Sequence, residues 1–464
     1  MMPDFSSSTF YPEGKRFCYF YMHYLIVHQS CRKKGPWPHH VNVLAGYKNH
    51  LADWYIRVES YDQFDDYLHR FMKKASLLEE LEKYTLKIKN ETVKRLKKIP
   101  DDTRELKKLV TYYYQQIENI ILVAGTLRCV DRSLLKKFKS ILPHEEAIAL
   151  ASISERPSFT SEEEKALLQL ALQLKKQKRQ PTKQDVLPIK NTFCWSGMGY
   201  YNEKPKTIET YLILVKEMLK KDPQSILEQR KQHLKKDLTQ RKKLISTLSK
   251  EGKLLAQIAA TSSFLKDYYK ANTNEITYHG EKLFTKIAEK THTPSEMIKD
   301  LLPEETNNLL DKKEIDWTTV KERIKQSICI TDEKKISILI GKEAETFEKK
   351  YLSCQDKNKN SFKGRIACKG RAKGKAKIIL GTKDFHKLKK GDILVVSNTS
   401  PDYIPILTKA VAIIAEEGGL TAHVSLVSRE LNIPCIVGIP NIVTLLKDNE
   451  EIEVNANKGI VRKL

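Results

Sequence analysis

Ala415-Glu416-Glu417-Gly418-Gly419-Leu420-Thr421-Ala422-His423 is the stretch of this 464-residue chain whose residue types and order could do chemistry. It reads as a short buried strand, an acidic turn, a Gly-Gly bend and a helix that starts at a histidine. Two adjacent glycines let a backbone approach a ligand closely and turn its amides toward it. A helix N-terminus adds unpaired N–H groups and the positive end of the macrodipole. Together these features suit a phosphoryl group. The strong nucleophile in such a site is the imidazole of His423, which near pH 7 is largely neutral and can carry phosphorus as a phosphoramidate. Gly418, Gly419 and the Thr421 hydroxyl would hold the anion. Arg429, two turns further along the helix, would reach it only if the helix bends toward the ligand. A single histidine after Gly-Gly also serves commonly as a helix-capping or packing residue, and local physics leaves both readings open.

Other chemistry-bearing patterns are weaker. Gly370-x-x-x-Gly374-Lys375 resembles a phosphate-binding loop superficially, but it is one residue short and Ala376 takes the hydroxyl position. It is expected to be a hairpin turn between strands. The eight cysteines show no CxxC pair, so they read as reduced, mostly buried thiols. His39 and His40 are adjacent and seldom converge on one ion, so no metal site is expected. Tyr112-Tyr113-Tyr114, Trp195 with Tyr200-Tyr201, and Tyr268-Tyr269 are either helix core or the lining of an acceptor pocket.

Two elements of structure must position His423, and the texture of the chain changes to provide them. Before about residue 360 the sequence is rich in Lys, Glu and Leu and poor in glycine. Amphipathic spacing predicts helices over 61–96, 106–123, 208–219 and 225–265. Ser161 with Glu164 fits a capping box that opens another helix, running through Leu167, Leu170, Ala171 and Leu174. Residues 1–55 sustain no period. A polar stretch at 353–361 has the composition of a linker. Beyond it, 376–380, 393–396, 411–415, 435–437 and 452–454 are short and rich in Val and Ile, as strands are. Ser400-Pro401-Asp402 opens a short helix toward Leu407. A second helix is expected from His423 to about Leu431, stopped by Asn432 and Pro434. The expected fold is a mainly α-helical N-terminal region over 1–352, a linker, and a C-terminal α/β domain over 362–464.

Gly418-Gly419-Leu420-Thr421-Ala422-His423, followed by Ser428-Arg429-Glu430-Leu431-Asn432-Ile433-Pro434-Cys435-Ile436-Val437-Gly438, closely resembles the phosphohistidine signature of phosphoenolpyruvate-utilising enzymes. That family includes phosphoenolpyruvate synthase, pyruvate phosphate dikinase and rifampin phosphotransferase. Lys369-Gly370 to Ala376 looks like the opening hairpin of their swivelling domain, which has a β/β/α arrangement. Gly391 to Val395 and Thr399 to Tyr403 look like its next strand and turn. Ala422 stands where Ser or Cys is frequent, and Asn455-Ala456-Asn457 where Asp-Gly is, which touches only a turn. Residues 302–310 and 320–323 loosely resemble the helical segment preceding the His domain in rifampin phosphotransferase.

The resemblance implies a phosphotransferase component with His423 as the phosphorylated residue. It implies Mg-ATP as the source of the phosphoryl group, with the nucleotide site on an ATP-grasp protein in trans. Neither a nucleotide-gripping loop nor a phosphoenolpyruvate-binding barrel is recognisable here. The helical region would bind a small-molecule acceptor or dock partners. The alternatives are a non-catalytic scaffold that keeps the swivelling fold and a basic nucleic-acid-associated helical protein. The surplus of 82 Lys and Arg over 58 Asp and Glu, +24, permits the latter. Basic runs such as Arg230 to Lys243 are, however, mixed with acids and poor in aromatics, so nucleic-acid binding is disfavoured. No apolar run reaches the ~18 residues of a membrane span, and a cytoplasmic location is expected.

Overall fold

The computed structural model describes residues 10–17, 43–57, 62–142, 145–198, 204–331, 336–351, 360–397, 399, 403–416, 423–439 and 442–464. The chain separates into two compact units. One comprises Met1–Pro143, Met198–Pro205 and Leu248–Cys354; the other comprises His144–Gly197, Lys206–Thr247 and Gln355–Leu464. The helical region expected over 1–352 is thus divided between two units. The expected linker at 353–361 lies largely outside the described residues, and its last residue, Ser361, already opens a strand.

The first unit contains a sheet that spacing did not reveal. β1 (Phe10–Phe17), β2 (Val43–Lys48) and β3 (Leu51–Arg57) join β4 (Ser327–Thr331) and β5 (Ile336–Ile340) in the order β1-β3-β2-β4-β5. All neighbours are antiparallel. Asn49 and His50 form the two-residue β2–β3 turn, both with positive φ (49° and 65°), as a hairpin of this length favours. Among the described residues, helices follow this sheet's first three strands: α1 (Asp62–Lys73), α2 (Ser76–Leu96) and α3 (Thr103–Ile141). Asp102 caps α3 by accepting from the Glu105 amide at 2.9 Å.

The second unit begins with α4 (Glu145–Ala151), α5 (Phe159–Lys176), α6 (Lys183–Phe193), α7 (Ile208–Leu219) and α8 (Pro223–Ser246). The first unit resumes with α9 (Lys250–Thr291), which packs along α2 and α3. It continues through α10 (Ser295–Ile298), α11 (Pro303–Leu310), α12 (Trp317–Lys325) and α13 (Gly341–Tyr351). The cap of α5 differs from expectation. Ser158, not Ser161, accepts from the Ser161 amide at 3.1 Å, which starts the helix one turn earlier. Glu163 and Glu164 are then free to turn inward. Glu163 is fully buried and accepts from Lys206 Nζ and Ser196 Oγ at 2.9 Å and from Tyr211 Oη at 2.7 Å.

The C-terminal part of the second unit carries β6 (Ser361–Lys363), β7 (Arg365–Cys368), β8 (Arg371–Ile379), β9 (Ile393–Val396), α14 (Ile404–Leu407), β10 (Ala412–Ala415), α15 (His423–Glu430), β11 (Cys435–Val437), α16 (Ile442–Leu445), β12 (Glu451–Asn455) and β13 (Ile460–Lys463). Its strand order is β6-β13-β12-β8-β9-β10-β11-β7. β8 belongs to two pairings: residues 371–375 run antiparallel to β12, and 376–379 run parallel to β9. β8 to β11 are mutually parallel.

Their two faces are both apolar, as a parallel sheet covered on both sides requires. Leu394, Val396, Ile413, Ala415, Cys435 and Val437 face one cluster with Ile406, Leu407, Val424 and Val427 from α14 and α15. Ile393, Val395, Ala412, Ile414 and Ile436 face the other, with Phe362, Ile452, Val454 and Val461 from the antiparallel strands. The expected hairpin at 369–376 is corrected: β7 pairs with β11, and β8 with β12 and β9, so these two strands do not pair. Gly370 turns the corner at φ 144°, where a Cβ would lie 2.6 Å from Pro434 Cγ. Gly374, expected in the turn, is inside β8.

Buried and capping groups give two tests by unfolding. Lys206→Met leaves the Glu163 carboxylate buried without its cation, and should cost roughly 3–5 kcal/mol in urea unfolding. Adding Glu163→Gln should recover part of that loss. At the start of α6, Asp185 forms a capping box with Thr182 and takes both Arg179 Nη groups at 2.7 Å. The Arg179 hydrogen bonds, and then those from Thr182, hold its carboxyl well below the usual range. Between its native and unfolded pKa the unfolded chain binds more protons. The contribution is therefore complete above the unfolded value of ~4 and is lost as pH falls through the native one. Asp185→Asn should cost on the order of 0.5–1 kcal/mol at pH 7. Its deficit relative to wild type should close as acid titrates Asp185.

Candidate functional site

β10, the segment 416–422 and α15 form the connection that returns to β11, so β10-α15-β11 is a parallel βαβ unit. The chain leaves the sheet at the carboxyl end of β10, the edge at which ligands bind in open α/β sheets. His423 is the first residue of α15. α15 is held by Val424 and Val427 in the apolar cluster and by fully buried Ser425 and Ser428. It stops at Asn432, whose left-handed φ of 52° ends helices, with the Ile433 amide donating to the Ser428 carbonyl at 2.8 Å. The expected helix of 423–431 is therefore observed to within one residue. Gly418, Gly419 and Thr421, expected to hold the phosphoryl group, lie outside the described residues, as do Ser400-Pro401-Asp402 and His39-His40.

Arg429 lies six residues beyond His423, or ~9 Å along the axis. Its Nε donates to the Ser425 carbonyl at 3.0 Å within its own helix. Its charge acts on the thiols of Cys368 and Cys435, directly opposite each other at the far end of β11. Burial pushes the Cys435 thiol up to about 12, against an opposing Ser428 hydrogen bond, so it is a core thiol and not a nucleophile. The structure thus sets Arg429 at the opposite end of α15 from His423.

Two groups that spacing alone did not single out stand at the carboxyl edge of the sheet. Arg365 pairs with Val437 across β7 and β11, which puts both side chains on the face covered by α15. Its guanidinium crosses Gly438: a Cβ there would lie 3.0 Å from both Nε and Nη2. Gly438 itself has φ 74° and donates its amide to the Ala415 carbonyl at 2.9 Å. Glu416 follows β10 directly. Its amide donates to the Val396 carbonyl at 3.0 Å, and its buried carboxylate accepts from the Val443 amide at 3.2 Å. Glu416, the first residue after β10, is thus tied to the start of α16. A charged residue paired with the last residue of a βαβ strand is a signal that sequence cannot give before the register is known.

Residues 388–459 match the family model described as PEP-utilising enzyme, mobile domain. The chain carries a mobile domain of the PEP-utilising enzyme family. The relatives agree. A probable phosphoenolpyruvate synthase of Archaeoglobus fulgidus is 37% identical over 133 residues, 27% of this chain and 18% of that protein. A probable phosphoenolpyruvate synthase of Methanothermobacter thermautotrophicus is 44% identical over 99 residues, 21% of this chain and 14% of the relative. The phosphoenolpyruvate synthase of Pyrococcus furiosus is 40% identical over 102 residues, 22% and 12% respectively. The matched stretch spans less than one fifth of each relative's length.

The mobile domain explains the turn at 455–457 differently from the expectation of an inert substitution. Asn457 Oδ1 accepts from the Gly370 amide at 3.0 Å, and the Ala456 amide donates to the Gly370 carbonyl at 2.9 Å. The β12–β13 turn therefore pins the β7–β8 corner. Among the described residues, no group of three or more His, Cys, Asp or Glu side chains is placed to hold a metal ion. No described helix is long and apolar enough to cross a membrane.

Gly438→Ala should strain the left-handed backbone and crowd Arg365. A loss of about 1–2 kcal/mol in thermal unfolding of the mobile domain is expected. Hydrogen exchange of the Gly438 and Glu416 amides should quicken with it. Unchanged exchange at both would show that this edge is not held as described.

Proposed function

We propose that this chain is a phosphotransferase component that carries a phosphoryl group on His423 between an ATP-derived donor and a small-molecule acceptor. The observation that carries the reading is the position of His423. It opens a helix that leaves the carboxyl edge of a parallel sheet, inside a matched mobile domain. The relatives' names, phosphoenolpyruvate synthases, support transfer of a phosphorus-containing group.

In the loading step a neutral ring nitrogen of His423 attacks phosphorus. The P–N bond forms, and the P–O bond to the donor breaks with its electrons leaving on the donor oxygen. In the unloading step an acceptor oxygen attacks the same phosphorus, the P–N bond breaks, and its electrons return to the ring as the acceptor loses its proton. Amides of Gly418 and Gly419, the Thr421 hydroxyl and the N-terminal dipole of α15 hold the equatorial oxygens. Arg365 supplies the cation at this edge. This replaces the role expected of Arg429, which packs at the other end of the helix. The nucleotide site, with Mg-ATP, belongs to an ATP-grasp protein in trans, and the helical region binds the acceptor or docks that partner. A carrier of this kind must move between two sites, which is what a mobile domain provides.

Radiolabelled Mg-ATP supplied with an ATP-grasp protein, or radiolabelled phosphoenolpyruvate alone, should yield an acid-labile, base-stable adduct on the wild-type chain. His423→Ala should take up none. Arg365→Gln should load about tenfold or more slowly, the worth of one charge-assisted contact. Equal label on wild type and His423→Ala would overturn the carrier reading.

A further inference from the structure

The first unit holds a cleft of about 880 Å³ where the C-terminal end of α2, the first three turns of α3 and α11 meet. That volume suits a small organic ligand. Four cations line it, Arg95, Arg104, Lys107 and Lys108, against two carboxylates, Asp102 and Asp311. The charges are not distributed evenly. Asp311 takes Lys107 Nζ on both oxygens at 2.6 and 2.7 Å, and Glu105 takes Lys108 Nζ at 2.7 Å. Asp102 is committed to the N-cap of α3.

Arg95 and Arg104 are what remain, and among the described residues neither pairs with a carboxylate. Arg95 instead lies over the Tyr112 ring, its Cζ 4.1 Å from the centroid. A guanidinium held by a ring face is oriented without being neutralised. The N-terminus of α3, a 39-residue helix, adds its positive dipole end at the same wall. Along the cleft, Asn307 Nδ2 donates to Thr111 Oγ1 at 3.4 Å.

We propose that this cleft binds a small phosphate monoester. Two guanidiniums match the ~1.5–2 negative charges of such a group near pH 7, and their planar forks fit its oxygens in pairs. Thr111 and Gln115, which also line the cleft, suit a hydroxyl or amide on the body of the ligand. The site stands in the other compact unit from His423 and does not rest on the carrier reading. If both hold, the cleft is where an acceptor or product bearing its own phosphate is kept.

The test is calorimetric titration of the full chain with phenyl phosphate at fixed ionic strength, with inorganic phosphate as competitor and phenol as the uncharged control. One saturable site is expected, competed by inorganic phosphate, with phenol at least tenfold weaker. Arg95→Ala and Arg104→Ala, both at exposed positions, should each weaken binding about tenfold or more while circular dichroism stays unchanged. His423→Ala should bind as wild type does. Absence of saturable binding overturns the assignment. Equal affinity in both arginine variants does so too, and so does phenol binding as well as its phosphate. Loss of binding in His423→Ala alone would move the phosphate to the mobile domain and overturn it equally.

Discussion

Burial of both faces of β9, β10 and β11 is the constraint on which the mobile domain depends. Every residue of these strands is fully buried, and alternate side chains enter different apolar clusters. A strand of this kind has no solvent face on which to present a catalytic side chain. Chemistry is therefore confined to the ends of the strands and to the connections leaving them. Parallel pairing of β10 with β11 adds a second restriction, because the chain must cross back over the sheet between them. α15 makes that crossing, and its first turn stands at the carboxyl edge. The place of His423 is thus a consequence of sheet burial and strand direction together.

The helical segments of the second unit meet a different constraint. α5, α6 and α7 bury Leu167, Leu168, Leu174, Val186, Leu214 and Val215 in an ordinary apolar core. Glu163 and Lys206 are nevertheless sealed beside it, with Ser196 and Tyr211 completing the carboxylate's shell. Burial, together with the Glu163 charge, holds the Tyr211 hydroxyl well above its usual range, so it remains a donor. An apolar pair of similar volume would fold this core at least as well. What the ion pair adds is position, since Lys206 follows the 3-10 turn Cys194–Gly197 in the fold and its amide donates to the Cys194 carbonyl at 2.9 Å. Two chain segments that no hydrophobic pattern would align are fixed in one register.

These examples show why some of the molecule was legible in the sequence and some was not. Helix existence was, because the helical period is local: 208–219 was expected and is observed to the residue. Strands of the mobile domain were also legible, being continuous Val and Ile runs bounded by turns. The N-terminal sheet was not. Its β2 pairs with β4, which enters the chain only after α12, and strand pairing across so many intervening helices leaves no local trace. The Tyr112-Tyr113-Tyr114 run looked like one feature and divides into two. Tyr113 and Tyr114 are buried against Phe284, whereas Tyr112 lines a cleft under Arg95. Identity alone gave Glu416 no role, because its hydrogen-bond partner, the Val443 amide, lies beyond the next helix and strand.

Two arginines of the C-terminal part of the second unit carry the same lesson. Arg429 is next to the histidine signature in sequence and belongs to the same helix, yet helical rise carries it to the opposite end of α15 and toward two core thiols. Arg365 is remote in sequence and arrives at the proper edge through one antiparallel register, beside the last residue of β11. A phosphate site needs cations that converge from different elements, because a single helix spreads its own side chains along its axis by ~1.5 Å with each residue. Convergence at a sheet edge is therefore the stronger criterion for choosing which cation serves a bound anion. By that criterion Arg365, on the strand at the end of the sheet, is better placed than Arg429 to serve the anion proposed at the start of α15.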